Sequence, residues 1–338
     1  MRNPSQMVRL WAPNAARSRN GILFLLLSMA VPGLLSGQEL PAPQKAPSER
    51  QASSIRAQMR NVKFRLSEDV SVLIRSLNGA LAPVGEHPFP VMDDKNSFKI
   101  HVDSADILMD PSDLTRLLNS YVFARPKSPV GGVSISIEKG QLKVKGKLRD
   151  EGNIPFETAG TLSPTRDGKV RLHGDKIKAL HVPVKGLMDA FGVEIDDLIK
   201  SGKIPGVDAK ENDLILDLQQ VLPPPHIEGA VTAIRIEGNG IAATFGKTVE
   251  RAPSNAPSQG NFMAYQGNRM QFGKLIMDDV DLILLDMDPA DPLDFYLDRY
   301  KEQVAAGYTK ISTSFQLRSY LKDYDKLNRK PAPKTQSN

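Results

Sequence analysis

Residues 278–298 hold eight aspartates (278, 279, 281, 286, 288, 291, 294 and 298) and no lysine or arginine. Hard cations such as calcium need several such carboxylate oxygens to converge. Asp286, Asp288 and Asp291 could converge at a strand-to-helix corner. The EF-hand spacing, its central glycine and its closing glutamate are absent, however. Asp288-Pro289 and Asp291-Pro292 are also ordinary turn and helix-cap pairs. No metal ligand is assigned on this basis.

Other motifs that carry chemistry reduce to simpler explanations. Gly238-Asn239-Gly240-Ile241-Ala242-Ala243 matches the glycine pattern of a dinucleotide loop. That loop must open a long helix, yet Phe245-Gly246 and Pro253 follow closely. A tight Asn-Gly hairpin turn explains the same letters. The five histidines (87, 101, 173, 181 and 226) have no zinc-ligand spacing. There is no nucleophile elbow and no phosphate-binding loop of the Walker type. The absence of cysteine excludes disulfides, thiolate metal sites and thiol nucleophiles. No catalytic residue and no cofactor is assigned; a hydrolase with a split site ranks below the non-enzymatic readings.

Lys143, Lys145, Lys147 and Arg149 alternate along one segment, and Lys169 and Arg171 along the next but one. Each set shares one strand face. Such a face is either solvated charge that discourages aggregation or a patch for anionic lipid headgroups. It lacks the interleaved aromatics of a nucleic-acid surface.

These residues sit on elements that the hydropathy pattern delineates. Period-two alternation predicts strands at 133–138, 142–149 and 214–219, with weaker ones at 62–66, 70–75, 97–102, 154–162, 169–174, 227–237 and 241–245. Lys139-Gly140, Asp167-Gly168 and Asn239-Gly240 read as hairpin turns. Two further strands are expected at 269–277 and 279–287. Asp110-Pro111 opens an amphipathic helix with Leu114, Leu117, Leu118 and Tyr121 on one stripe. Val184, Leu187, Met188 and Phe191 form a second stripe, which Ile195, Leu198 and Ile199 continue. Leu293, Tyr296, Leu297, Tyr300 and Val304 predict a third helix after Pro292. Helices are too few for a parallel βαβ order, so the expected class is α+β, with a long curved antiparallel sheet wrapped around one or two amphipathic helices and a smaller C-terminal α/β segment.

The N-terminus reads as an address. Arg2, Arg9, Arg17 and Arg19 precede an apolar run over 21–35, short for a membrane span and suited to a secretory signal. Cleavage is expected after Gly37, with an uncleaved anchor as the alternative. Loss of four arginines and no acid lowers the formal charge from +5 to +1 and removes Trp11. The basic balance therefore describes the export signal more than the body. The organisation expected is a signal peptide over 1–37, a linker over 38–54, a lipid-binding-like domain over 55–248, a linker loop over 249–261, a strand–helix segment over 262–328 packed on it, and a tail over 329–338.

Part of the body, from about Ser112 to Gly246, resembles the LmeA-like phospholipid-binding family of bacterial envelopes, within the tubular lipid-binding superfamily. The resemblance is carried by Leu117-Leu118-Asn119-Ser120-Tyr121, Gly140-Gln141-Leu142-Lys143-Val144-Lys145-Gly146 and Ile154-Pro155-Phe156-Glu157. Val184-Lys185-Gly186-Leu187-Met188 and Pro223-Pro224-Pro225-His226-Ile227-Glu228-Gly229 continue it. It covers less than half of the chain and leaves 262–328 unexplained. It implies a sheet wrapped on a helix, an apolar groove and a lipid ligand outside the cytoplasm, and no catalytic residue.

The leading expectation is an exported, non-enzymatic lipid-binding protein of the cell envelope. Leu114, Leu117, Leu118, Tyr121, Val184, Leu187, Met188, Phe191 and Leu198 are the candidate lipid contacts. An anionic membrane surface is a possible further partner, and the acidic C-terminal segment a dock for an envelope protein. The alternative is a structural or interaction protein with a packed core and no ligand.

Overall fold

A computed structural model describes residues 54–124, 128–149, 152–175, 178–179, 204–246 and 253–327. Strands β1 (Ile55–Arg65), β2 (Ser71–Pro83) and β3 (Phe98–Met109) form an antiparallel meander. All three change phase midway. Ile55, Ala57 and Met59 are buried on β1, and then Val62 and Phe64; β2 switches between Ile74 and Leu77, and β3 between Val102 and Ala105. Asn61, at φ +50°, and register shifts between Ile74 and Ser76 and between Asn78 and Gly79 mark the switch. Bulges of this kind bend strands and increase their twist.

Next comes helix α1 (Pro111–Leu117), which continues as a single π turn over Leu118–Val122. Asp110 is its extended N-cap, and proline opens its first turn, as expected. The buried Asp113 carboxylate accepts from the Ser71 amide and hydroxyl, both at 3.2 Å, which ties the helix to β2.

Strands β4 (Val130–Glu138), β5 (Gln141–Leu148), β6 (Ile154–Pro164), β7 (Val170–Gly174), β8 (Lys178–Ala179), β9 (Val207–Lys210) and β10 (Asp213–Leu216) make a wholly antiparallel sheet. Its order is β4-β5-β6-β7-β10-β9, with β8 on β6. The outer edge of β4 is covered by side chains of the preceding helix. The Asn119 amide donates to Val133 O at 2.6 Å and accepts from Val133 N at 2.9 Å, and Thr115 Oγ1 accepts from Ile135 N at 2.9 Å. An amide thus stands in for a neighbouring strand and blunts an edge that would otherwise pair with other chains. Asn119→Ala is expected to cost about 1–3 kcal/mol, because two backbone groups lose partners. Urea unfolding and light scattering would check it; an unchanged midpoint without aggregation contradicts this account of the edge.

Helix α2 (Leu218–Val221) follows, capped by Asp217, which accepts from Gln219 N. The alternation of Leu214, Leu216 and Leu218 had suggested a longer strand; the cap ends it at Leu216. Strands β11 (His226–Glu228), β12 (Val231–Glu237), β13 (Gly240–Phe245), β14 (Phe262–Phe272), β15 (Leu275–Asp286) and β16 (Leu293–Tyr296) return to the first sheet. A 3-10 turn (Leu297–Arg299), helix α3 (Tyr300–Ala306), β17 (Tyr308–Ile311) and β18 (Leu317–Leu321) complete it. The order is β12-β13-β3-β2-β1-β14-β15-β18-β17, with β11 on β3 and β16 on β1. At the phase switch β1 exchanges β14 for β16, and β3 exchanges β11 for β13.

Three further expectations need correction. Glu237 pairs with Gly240, so the hairpin turn is Gly238-Asn239, one residue earlier than expected. Phe272 pairs with Leu275, so the later hairpin turns at Gly273-Lys274 and not near 278. Residues 293–296 are a strand parallel to β1, not the start of a helix. Leu293 and Phe295 are both fully buried there, a strand spacing hidden within an apparent helical stripe.

The class is α+β, with large antiparallel sheets and few helices. One apolar core runs through both sheets and α1. The sheets meet at Ala230: Val231 N donates to Gly168 O at 2.9 Å, and Gly246 N to Ala230 O at 3.0 Å. Among the described residues, no helix is long and apolar enough to cross a membrane.

Candidate functional site

The helical stripe divides between core and margin. Leu117 and Leu118 are buried, while Leu114 and Tyr121 are half-buried against the same core. Val184, Leu187, Met188, Phe191 and Leu198 lie outside the described residues. So do the expected signal peptide and most of the linker after it.

Burial along the inward face of the second sheet falls from one end to the other. Val133, Ile135, Leu142, Val144, Leu148 and Phe156, near α1, are buried. Towards the far edge, Leu162, Val170, Leu172, Val207 and Leu216 are only half-buried against the same core, while Leu214, opposite Leu172, is buried. Register explains their grouping: Leu162 pairs with Leu172, and Leu216 with both Val170 and Val207. In the first sheet, by contrast, Ile55, Leu282, Leu284, Leu293 and Phe295 have no exposed surface. The alternation that revealed these outer strands also marks Leu162 and Leu172, but the sequence reading had placed the candidate site on helices.

The opposite face of the second sheet carries the basic residues, interleaved with acids. Lys143 Nζ lies 2.8 Å from Glu157 and 3.0 Å from Glu138, and Lys145 lies 3.5 Å from Glu157. The Glu157 carboxyl is held below its ordinary value, first by the hydrogen bond from Lys143. Lys169 pairs with Asp167 at 3.2 Å, and Arg171 with Asp213 at 3.7 Å. Arg149 lies across Gly131, and Lys147 is exposed. Partners drawn from neighbouring strands had no signal in local sequence. They make this face a lattice of both signs.

The aspartates of 278–298 are dispersed in the same way. Asp278 pairs with Arg269, Asp298 with Lys95, and Asp294 with Arg65 and Lys63. Asp281 accepts from Asn255 and Gln316, and Asp286 from Asn261. Asp288 and Asp291 do converge, but with Asp323 and upon the Lys326 ammonium, at 2.8, 2.9 and 3.0 Å. That ammonium stands where the calcium reading would set its ion. The hydrogen bond from Lys326 holds the Asp288 carboxyl below its ordinary value. Burial pushes Asp286 up, and the neighbouring Asp323 and Asp291 add to the effect.

A second concavity, of about 600 Å³, lies between the first turn of α1, β4 and the β12–β13 turn. Ser112, Thr115, Arg116, Ser134 and Ser136 line it with Asp110. Arg116 is held by Asp113 at 2.8 Å, and Pro111, Ile135 and Ile137 share the lining, so this cleft mixes hydroxyls with apolar surface. No protein-family model matches the chain, and no curated protein or solved structure is significantly similar to it.

Proposed function

We propose that the protein is exported to the cell envelope and there binds a phospholipid or other lipid in an apolar groove, without catalysis. The observation that carries this reading is the half-buried apolar row of Leu162, Val170, Leu172, Val207 and Leu216, set against the fully buried core beside it. Apolar side chains on a concave face are the usual lining of a lipid site. The resemblance over Ser112–Gly246 supports the same reading. In this reading the bent antiparallel sheets curve around α1, which closes one end of the groove. A structural protein of the envelope with no ligand is the second reading, favoured by the full burial of the first sheet's core.

Organic extraction of the purified protein followed by mass spectrometry separates the two. The lipid reading expects a bound lipid that Leu172→Glu reduces by at least about tenfold, because a charge then enters the groove. The half-buried position keeps the fold, which circular dichroism would check. A wild-type protein that carries no lipid and takes up none from vesicles overturns the proposal.

A further inference from the structure

The β17–β18 hairpin at the edge of the first sheet carries two highly exposed apolar side chains. Ile311 is 68% exposed and Phe315 is 87% exposed. Phe315 has φ +61°, a region that bulky residues rarely enter and that costs energy to hold. The turn that holds it is closed by hydrogen bonds. Ser312 N donates to Gln316 O at 2.9 Å, Phe315 N to Ser312 O at 3.0 Å, and Gln316 N to Ser312 Oγ at 3.0 Å. A fixed turn therefore presents the ring to solvent at a conformational cost.

Within the hairpin itself the charge has one sign. Residues 307–322 contain Lys310, Arg318 and Lys322 and no acid. Lys310 lies directly across from Arg318, and its ammonium lies over the Tyr308 and Tyr320 rings. On the neighbouring strand, Asp278 is paired with Arg269, Asp281 accepts from the neutral amides of Asn255 and Gln316, and Asp279 is exposed. Register also places this turn at the end of the sheet where β1 begins: Leu317 aligns with Leu282, Leu282 with Tyr265, and Tyr265 with Ala57.

We infer that the β17–β18 hairpin docks the protein on an anionic phospholipid bilayer, with Ile311 and Phe315 entering the acyl boundary and Lys310 and Arg318 meeting lipid phosphates. An apolar tip flanked by cations is the arrangement that interfacial segments use. A convex tip of two side chains is too small for a stable protein interface, which needs about 800 Å² per partner. Pairing of β17 with a second copy would bring the two Lys310 side chains onto neighbouring positions, where like charges repel. The inference does not rest on the lipid groove, since a protein with an empty groove would dock in the same way.

The test uses the full chain with Trp11→Phe and Phe315→Trp, so that fluorescence reports only the tip. Vesicles of phosphatidylglycerol with phosphatidylcholine should shift the emission to the blue, and brominated acyl chains should quench it. Pure phosphatidylcholine or high salt should weaken both effects. Ile311→Asp should lower vesicle partitioning by about tenfold or more, with thermal unfolding unchanged. Emission that stays solvent-like while the chain sediments with vesicles overturns the inference. So does a blue shift that needs only raised protein concentration, which would assign the tip to a second copy. Equal insertion into uncharged vesicles overturns the role of the two cations. Ile311→Trp gives an independent reporter should the first be perturbed. Co-purifying lipid, the readout for the groove, is measured separately.

Discussion

Asp294→Ala is expected to lower stability by about 3–5 kcal/mol, the cost of breaking one side of a buried ion pair. That is a large part of the roughly 5–15 kcal/mol typical of a folded domain. Asp294 is 2% exposed and accepts from Arg65 Nε and Nη2, each at 2.6 Å, with Lys63 Nζ at 3.0 Å. The same residue is a node for the C-terminal segment. Its amide donates to Asp323 Oδ1 at 2.8 Å, and its carbonyl accepts from Gln303 Nε2 at 2.7 Å and Tyr324 N at 2.9 Å. Loss of the carboxylate leaves Arg65, itself mostly buried, without its bidentate partner. The urea midpoint should fall with an unchanged slope, and Arg65→Met with Asp294→Leu should recover most of the loss. A single variant with the wild-type midpoint would show that the pair is solvated.

The pH dependence of that pair has a definite sign. Burial raises the Asp294 carboxyl, but the hydrogen bonds and charges of Arg65 and Lys63 outweigh it and hold the group below its ordinary value. A depressed carboxyl contributes stability above its unfolded value, near about 4, and loses it as pH falls through the folded one. Asp286 and Asp325 are pushed up, first by burial, so their contribution runs the other way. Mild acidification should therefore relieve these two before further acid breaks the Arg65 pair. Asp294→Ala should flatten the acid limb and also lessen the mild-acid gain, because Asp294 helps to raise Asp325.

How much of this was legible in sequence depended on whether neighbours in space were neighbours in the chain. The β4–β5 hairpin follows from Val133, Ile135 and Ile137 against Leu142 and Val144, because a tight turn makes pairing local. The first three strands were visible only as fragments near 62–66, 70–75 and 97–102. Each changes its buried face partway along, at Asn61 on β1, which breaks the period of two that the eye follows. Leu293, Tyr296, Leu297, Tyr300 and Val304 mimic a helix because a strand, a 3-10 turn and a short helix happen to place apolar residues at helical spacing. The half-buried row over Leu162 and Leu172 needed register to be seen, since Leu216 joins it from more than forty residues away. The pairing of Asp294 with Arg65 spans 229 residues and had no local signal.

The joint between the two sheets is the other point where one substitution should cost most. Gly246→Ala is expected to remove about 4 kcal/mol or more of stability. Gly246 has φ +61°, which a side chain alone would make unfavourable by about 1–2 kcal/mol. A Cβ built there falls 1.7 Å from Asp103 O and 2.7 Å from Asp103 C, so a backbone segment and not a rotamer would have to move. Asp103 lies on β3, where Phe245 pairs with Ala105, and displacing it opens the β13–β3 ladder. It also strains the Gly246 N bond to Ala230 O and the Thr232 Oγ1 bond to Gly246 O. Gly85 provides the contrast. Its φ is +67°, but a Cβ there meets nothing within 4 Å, so Gly85→Ala should cost only the conformational strain of about 1–2 kcal/mol. Differential scanning calorimetry on both variants separates strain from clash: equal losses would deny the contact with Asp103. Because Ala230 also receives the second sheet through Val231 N and Gly168 O, the clash acts on the joint between the two sheets. On the proposed lipid-binding reading, a Gly246→Ala protein that still folds should carry less lipid, whereas Gly85→Ala should not.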